Sequence, residues 1–117
     1  MTAMQSQQRD SSILRHMAAY CADAMDAAAA AGSETAFAEN HLLQHAAAMC
    51  VLEIGELAKR LSEEYVRKHS EIPWRAVCRM RDLYAHHYHA TDPHELWVTV
   101  TQDLPALRVL CEADDPD

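Results

Sequence analysis

Glycine and proline are scarce in this chain, with two Gly and four Pro in 117 residues. β-Sandwiches and barrels depend on frequent Gly/Pro turns and on β-branched runs, so that architecture is excluded. Aromatic residues are few, at 6%. No window approaches the roughly 18 uninterrupted apolar residues that a membrane span requires. The opening stretch, MTAMQSQQRD, lacks the basic and then apolar pattern of a signal peptide. Cys21, Cys50, Cys78 and Cys111 form no C-x-x-C pair, and each has apolar neighbours. They are expected to be reduced core thiols of a cytoplasmic protein.

Apolar residues make up 50% of the chain and charged residues 24%, the balance of one globular domain over residues 1–117. The net charge of −8 is unevenly spread. Between Lys59 and Arg81 stand seven bases (Lys59, Arg60, Arg67, Lys68, Arg75, Arg79 and Arg81) against Glu63, Glu64 and Glu71. That stretch nets +4 and leaves −12 on the remainder. Such a basic segment can hold an anion locally, while the acidic remainder resists indiscriminate nucleic-acid binding. Its simpler reading is a solvated helix face laced with i,i+4 pairs.

Periodicity and punctuation predict an all-α, antiparallel bundle of four to five helices. The first helix is expected from about Asp10 to Ala31, capped by Asp10 or Ser11 and ended by Gly32. Ser33 then caps a single long helix reaching about His69, with the stripe Leu43, Ala47, Cys50, Ile54, Leu57, Leu61 and Tyr65. Such a helix, roughly 50 Å long at 1.5 Å per residue, would overhang a compact monomer, and a homodimer would bury the overhang. Gly55 within the stripe points to a close helix crossing or a kink. A third helix opens at Pro73 and runs to about His87. Asp92-Pro93-His94-Glu95 launches a fourth, with Leu96, Trp97 and Val100 facing in. Pro105 should kink or restart it, with Asp103 as the second cap, and the acidic tail from about 112 to 117 is expected to fray.

The chemistry concentrates between Arg79 and Tyr88. Arg81 shares a helical face with Val77 and Tyr84, so it faces inward and needs a partner, for which Glu53 and Glu56 are candidates. Asp82 lies four residues before His86 and is placed to orient its imidazole. Tyr88, seven after Arg81, returns to the arginine's face. His86 lies about 140° from Arg81 on an ideal helix; the two share a site only if the helix ends there or two subunits meet. A cation, an imidazole, a carboxylate and a phenol suit metal-independent RNA cleavage, in which the ribose 2′-OH attacks the adjacent phosphorus. A rival is metal binding by His86, His87, His89 and His94 with Cys78, but their spacing matches no zinc signature. His41 and His45, four apart, are a further opportunistic pair.

At these residues the chain resembles a family. Arg81-Asp82-x-x-x-His86-x-Tyr88 resembles the R-x4-H-x-Y signature of HEPN domains of the HepT-like kind. Ile54-Gly55-Glu56, Ile72-Pro73-Trp74, Leu96-Trp97 and Asp103-Leu104-Pro105 follow the family's segments in order from Phe37 onward. The resemblance implies a dimeric HEPN bundle in which two Arg-His motifs meet at the interface. It further implies a ribonuclease toxin, paired in a type II- or VII-like system with an MNT-type nucleotidyltransferase antitoxin. Arg81 and His86 would then be catalytic, Asp82 supporting, and Tyr88 the regulatory position that the antitoxin adenylylates. Glu53, Glu56 and His87 would be supporting neighbours. Two positions depart from the pattern: Asp82 stands where Asn is usual, and His87 where an acid is common. No metal or cofactor is expected. The partners expected are an RNA such as tRNA or mRNA, the antitoxin and a second copy, with neither DNA nor membrane. The alternative is a non-catalytic accessory or substrate-binding subunit of a minimal nucleotidyltransferase.

Overall fold

The computed structural model describes residues 2–113, and among them every regular element is helical. Seven helices follow in order: α1 (Ala3–Ala31), α2 (Glu34–Ala38), α3 (His41–Ala58), α4 (Glu63–Lys68), α5 (Trp74–His86), α6 (Pro93–Val98) and α7 (Leu104–Ala113). A 3₁₀ turn at Tyr88–Ala90 follows α5, and a π turn at Thr99–Asp103 joins α6 to α7.

α1 begins earlier than the apolar periodicity indicates. Thr2 accepts from Gln5 N–H while the Gln5 side chain accepts from Thr2 N–H, a reciprocal cap that carries the helix start to Ala3. Asp10 is therefore not a cap of its own helix. It is buried, and its carboxylate accepts from the backbone N–H of Ser62 at 2.9 Å and from its hydroxyl at 2.6 Å. Gly32 ends α1 as expected, at φ 84°, where a residue without Cβ carries no steric cost.

The single long second helix does not form. Ser33 does cap a helix, but α2 ends at Ala38, and Asn40 starts α3 by accepting from Leu43 N–H. Ser62 then starts α4 by accepting from Tyr65 N–H, with Glu63 and Glu64 in the first turn and Arg67 and Lys68 in the last. Polar side chains at Asn40 and Ser62 offer the backbone local bonds that outcompete continuation of the helix. α3 is thus 18 residues long, about 27 Å at 1.5 Å per residue. With no overhang to bury, the length argument for a homodimer falls away.

The bond from Ser62 to Asp10 places the C-terminal end of α3 beside the N-terminal half of α1, so the two run antiparallel. α5 returns along α3, with Lys59 beside Asp82 and His45 beside Tyr88. Leu14, Met17 and Cys21 of α1, Val51 and Ile54 of α3, Val100, and Leu104 and Cys111 of α7 form the core. Phe37 is fully buried with its ring 5.4 Å from Trp97. Cys21, Cys50 and Cys111 are buried thiols outside any disulfide among the described residues, and burial pushes Cys21 up to about 12, where a thiol is inert at neutral pH.

α6 starts where the Asp92-Pro93 pair indicates, Asp92 accepting from His94 N–H. Pro105 restarts the helix through the π turn, an alternative to a break. Asp103 lies inside that turn and does not serve as a separate cap. Glu112 and Ala113 belong to α7, where Arg108 Nε donates to Glu112 at 2.9 Å. The remainder of the tail expected to fray, 114–117, lies outside the described residues. No helix among the described residues is long and apolar enough to cross a membrane.

Candidate active site

The site is organised by a missing side chain. A Cβ at Gly55 would lie 2.5 Å from the Arg81 Cβ and 3.0 Å from the Val77 carbonyl oxygen. Hydrogen at this position lets α5 cross α3 at close range, which is the role expected for Gly55 from sequence. The close crossing fixes where the Arg81 side chain begins.

From there the guanidinium is held by carboxylates. Arg81 Nε lies 2.6 Å from Glu56 Oε1, an ion pair without the alignment of a hydrogen bond, since buried Nε has no hydrogen-bond partner among the described residues. One terminal nitrogen of Arg81 donates to Asp82 Oδ1 at 3.2 Å. The same Asp82 oxygen accepts from Lys59 Nζ at 2.7 Å. The bond from Lys59, followed by that from Arg81, holds the Asp82 carboxyl below its ordinary range. Asp82 is therefore a charged strut between two cations. Among the described residues it does not bond to His86, so the expected role of orienting that imidazole is not met.

Glu56 is the arginine's partner from α3; Glu53, the other candidate, makes no ion pair with it among the described residues. Lys59 is a participant that the sequence reading missed. Its signal was present, because Lys59 lies four residues after Gly55 and so shares the face that meets α5.

His86 closes α5 and is exposed. Among the described residues its ring has neither hydrogen-bond nor ion-pair partner. The helix does end where the two motif residues need it to, but Arg81 faces α3 while His86 opens to solvent. His87, at the C-cap, donates its backbone N–H to Leu83 O at 2.7 Å, and it is exposed.

Tyr88 lies beyond the helix, in the 3₁₀ turn, so helical spacing no longer returns it to Arg81. Its ring packs against Tyr84 at 6.3 Å and edge-on to His45 of α3 at 5.6 Å. Burial keeps its hydroxyl above the usual phenol range, so it is protonated at neutral pH. Tyr88 forms the rim between two hollows. One, of about 380 Å³, is lined by His41, Gln44, His45, His89 and Asp92. The other, of about 200 Å³, is apolar and lined by Ala48, Met49, Leu52 and Tyr84.

No three His, Cys, Asp or Glu side chains among the described residues converge as a metal-ligand set. His41 and His45 lie parallel at 6.5 Å between ring centres, and His94 is drawn off to Glu34 of α2.

A probable ribonuclease HepT of Thermococcus cleftensis is 46% identical over 55 residues, 47% of this chain and 50% of that protein. A candidate RNase of Caldanaerobacter subterraneus subsp. tengcongensis is 36% identical over 55 residues, 47% and 49% of the two chains. A candidate RNase of Methanocaldococcus jannaschii is 28% identical over 72 residues, 62% and 60% of the two chains. The matches span about half the length of the first two relatives. No solved structure matches. The family model described as ribonuclease HepT-like matches residues 17–113, most of the sequence and all of the elements that build the site. The chain belongs to the HepT-like ribonuclease family.

Proposed function

We propose that this protein is a metal-independent endoribonuclease that works as a homodimer, with Arg81 and His86 as its catalytic pair. The observation that carries the proposal is the contrast at the two ends of the motif. A guanidinium is anchored at the α3–α5 crossing, and five residues on an imidazole with no partner among the described residues stands at an open helix end. An anchored cation stabilises charge that develops on a phosphate, and an unpartnered imidazole is free to move a proton.

In the proposed reaction the ribose 2′-oxygen forms a bond to phosphorus and loses its proton, while the bond from phosphorus to the 5′-oxygen breaks and that oxygen gains one. The products are a 2′,3′-cyclic phosphate and a free 5′-hydroxyl. His86 handles the protons and Arg81 stabilises the phosphorane oxygens. Asp82 ties Lys59 and Arg81 together at one place.

The face between Arg81 and Tyr88 supports the dimer. Leu42 is 80% exposed and Met49 57%, one helical heptad apart on α3, and Met49 lines the apolar hollow with Leu52 and Tyr84. An apolar strip of this kind is suited to a second copy, which would bring a second His86 toward the first arginine. A nucleotidyltransferase antitoxin fits the same reading through Tyr88, which is half-buried at the rim of the histidine-lined hollow. Transfer of AMP from ATP to its hydroxyl, which loses its proton as pyrophosphate leaves, would add a phosphate charge at the rim and close the site.

A second reading, the accessory subunit, draws on one observation: Arg81 already faces two carboxylates, Glu56 and Asp82, which weaken its pull on a phosphate. Cleavage of several RNA classes in EDTA decides between the two, with intact mass first excluding modified Tyr88. Cyclic-phosphate ends that disappear in His86→Ala establish the nuclease. Clean dimeric protein that leaves every RNA intact establishes the accessory role.

A further inference from the structure

A groove of about 550 Å³ runs between α4 and α5 and the C-terminal end of α3, outside the motif. Leu61, Val66 and buried Trp74 form its floor, while Lys59, Arg67 and Arg75 stand on its walls with Glu63 as the acid among them. In a chain of net charge −8, bases are expected to be taken up by acids. Elsewhere several are: Lys68 pairs with Glu64, Arg108 with Glu112 and Arg81 with Glu56, while Arg9 and Arg60 make no ion pair among the described residues and line no part of this groove. Arg67 and Arg75 make no ion pair among the described residues, even though Glu63 lies one helical turn from Arg67. Arg79 extends the row by one turn along α5, is exposed, and is likewise unpaired among the described residues.

The groove leads into the motif. Lys59 lines it and also binds Asp82 at 2.7 Å, and Cys78 lines it one helical turn before Asp82. A row of uncompensated cations that ends at an anchored guanidinium matches a chain of phosphates in both charge and direction. The groove offers no exposed aromatic face, since Trp74 is 7% exposed and its indole N–H donates to His69 O. Bases therefore have no platform to stack on, and the contacts available are with the backbone.

We propose that this groove grips the phosphodiester backbone of single-stranded RNA flanking the scissile bond, without regard to sequence, and feeds it to Arg81. The proposal rests on the ribonuclease reading, and it assigns Arg67 and Arg75 to substrate binding outside the motif.

The test measures binding of short and long fluorescein-labelled oligouridylates by anisotropy across a salt series. The protein is the full chain carrying His86→Ala, so that nothing is cut. It is compared with versions that add Arg67→Ala and Arg75→Ala, or Arg67→Glu and Arg75→Glu. Lys59 is left in place because it holds Asp82. Circular dichroism confirms that each variant is folded.

The alanine pair should weaken binding of the long oligonucleotide by about tenfold and reduce the salt slope by about 1.4, at ~0.7 per single-strand phosphate contact. The glutamate pair should weaken it further, and the short oligonucleotide should bind all versions alike. With His86 restored, the alanine pair should raise KM for long RNA and leave kcat unchanged. Equal binding of the long oligonucleotide by all versions overturns the groove, whether or not wild-type protein cuts RNA. Displacement of RNA by polyglutamate at equal charge concentration also overturns it. Loss of RNA binding in the variants of a protein that never cuts RNA keeps the groove and removes the nuclease.

Discussion

Helix α5 carries two kinds of environment within six residues. At Arg81 the backbone is pressed against Gly55, the guanidinium lies against Glu56, and Asp82 is held from both sides by Lys59 and Arg81. At His86 the helix stops, the ring has no internal partner among the described residues, and the chain turns to set Tyr88 beside His45. The first end is rigid because it is built from main-chain contact and charge. The second is free because it is built from a helix terminus. Stabilising a charge requires fixed geometry, whereas transferring a proton requires a ring that is not already committed, so the two ends suit different tasks.

His86→Ala gives the largest expected effect and tests the free end. RNA cleavage should fall by roughly 10²–10⁴-fold, the range for loss of a general acid or base. The urea midpoint should stay where it is, because an exposed ring without partners among the described residues contributes little to stability. A large loss of stability would show that the free end is part of the scaffold after all.

Gly55→Val tests the rigid end. The new side chain would meet the Arg81 Cβ and a backbone carbonyl, neither of which can swing aside. Helix α5 must move, at about 1–3 kcal/mol or more of stability by urea unfolding. Wild-type stability in this variant would mean that the crossing does not anchor the arginine.

Glu56→Gln should be milder. It keeps the shape but removes the charge beside buried Arg81 Nε, and roughly 1 kcal/mol is expected, limited by the 43% exposure of Glu56. Cleavage should rise or hold if the arginine's charge is what the phosphate needs. A fall in kcat as large as that of His86→Ala would make Glu56 part of the chemistry.

The smallest effect lies at the histidine-rich end. Glu34 holds the His94 imidazolium and raises its pKa above the ordinary 6.5. A group raised on folding stabilises the fold fully below its unfolded pKa and loses that contribution as pH rises through the folded value. The tether between α2 and α6 should therefore weaken in mild alkali. Ring-proton NMR should show His94 titrating above an ordinary histidine, and Glu34→Gln should lower it, since the Glu34 hydrogen bond is the largest cause of the shift. Titration of His94 unchanged by that substitution would show that the pair does not form.

Local chemistry made much of this legible in advance. Gly32 after an alanine-rich helix, Asp92 before Pro93 and the close approach at Gly55 are each dictated by one or two residues, and each appears where expected. The breaks at Asn40 and Ser62 were equally local, since Ser62 precedes two acids and a basic turn end. The apolar stripe running through both breaks concealed them. Seven-residue periodicity survives a break whenever the separate helices pack on the same core, so the stripe reports burial and says nothing of continuity.

The site divides along the same line. The sequence by itself determined the helical class, the caps, the identities Arg81, Asp82, His86 and Tyr88, and the pairing of a small residue with a close crossing. These depend on conformational preference and on spacing along one helix. Only the tertiary structure decided that Asp82 bonds to Lys59, that Asp10 bonds to Ser62, the cap of a helix 52 residues away, and that Tyr88 leaves the arginine for His45. Each of these is a choice among several chemically adequate partners. Nothing local ranks a lysine 23 residues away above a histidine four residues away, so only the packing of α3 on α5 could make that choice.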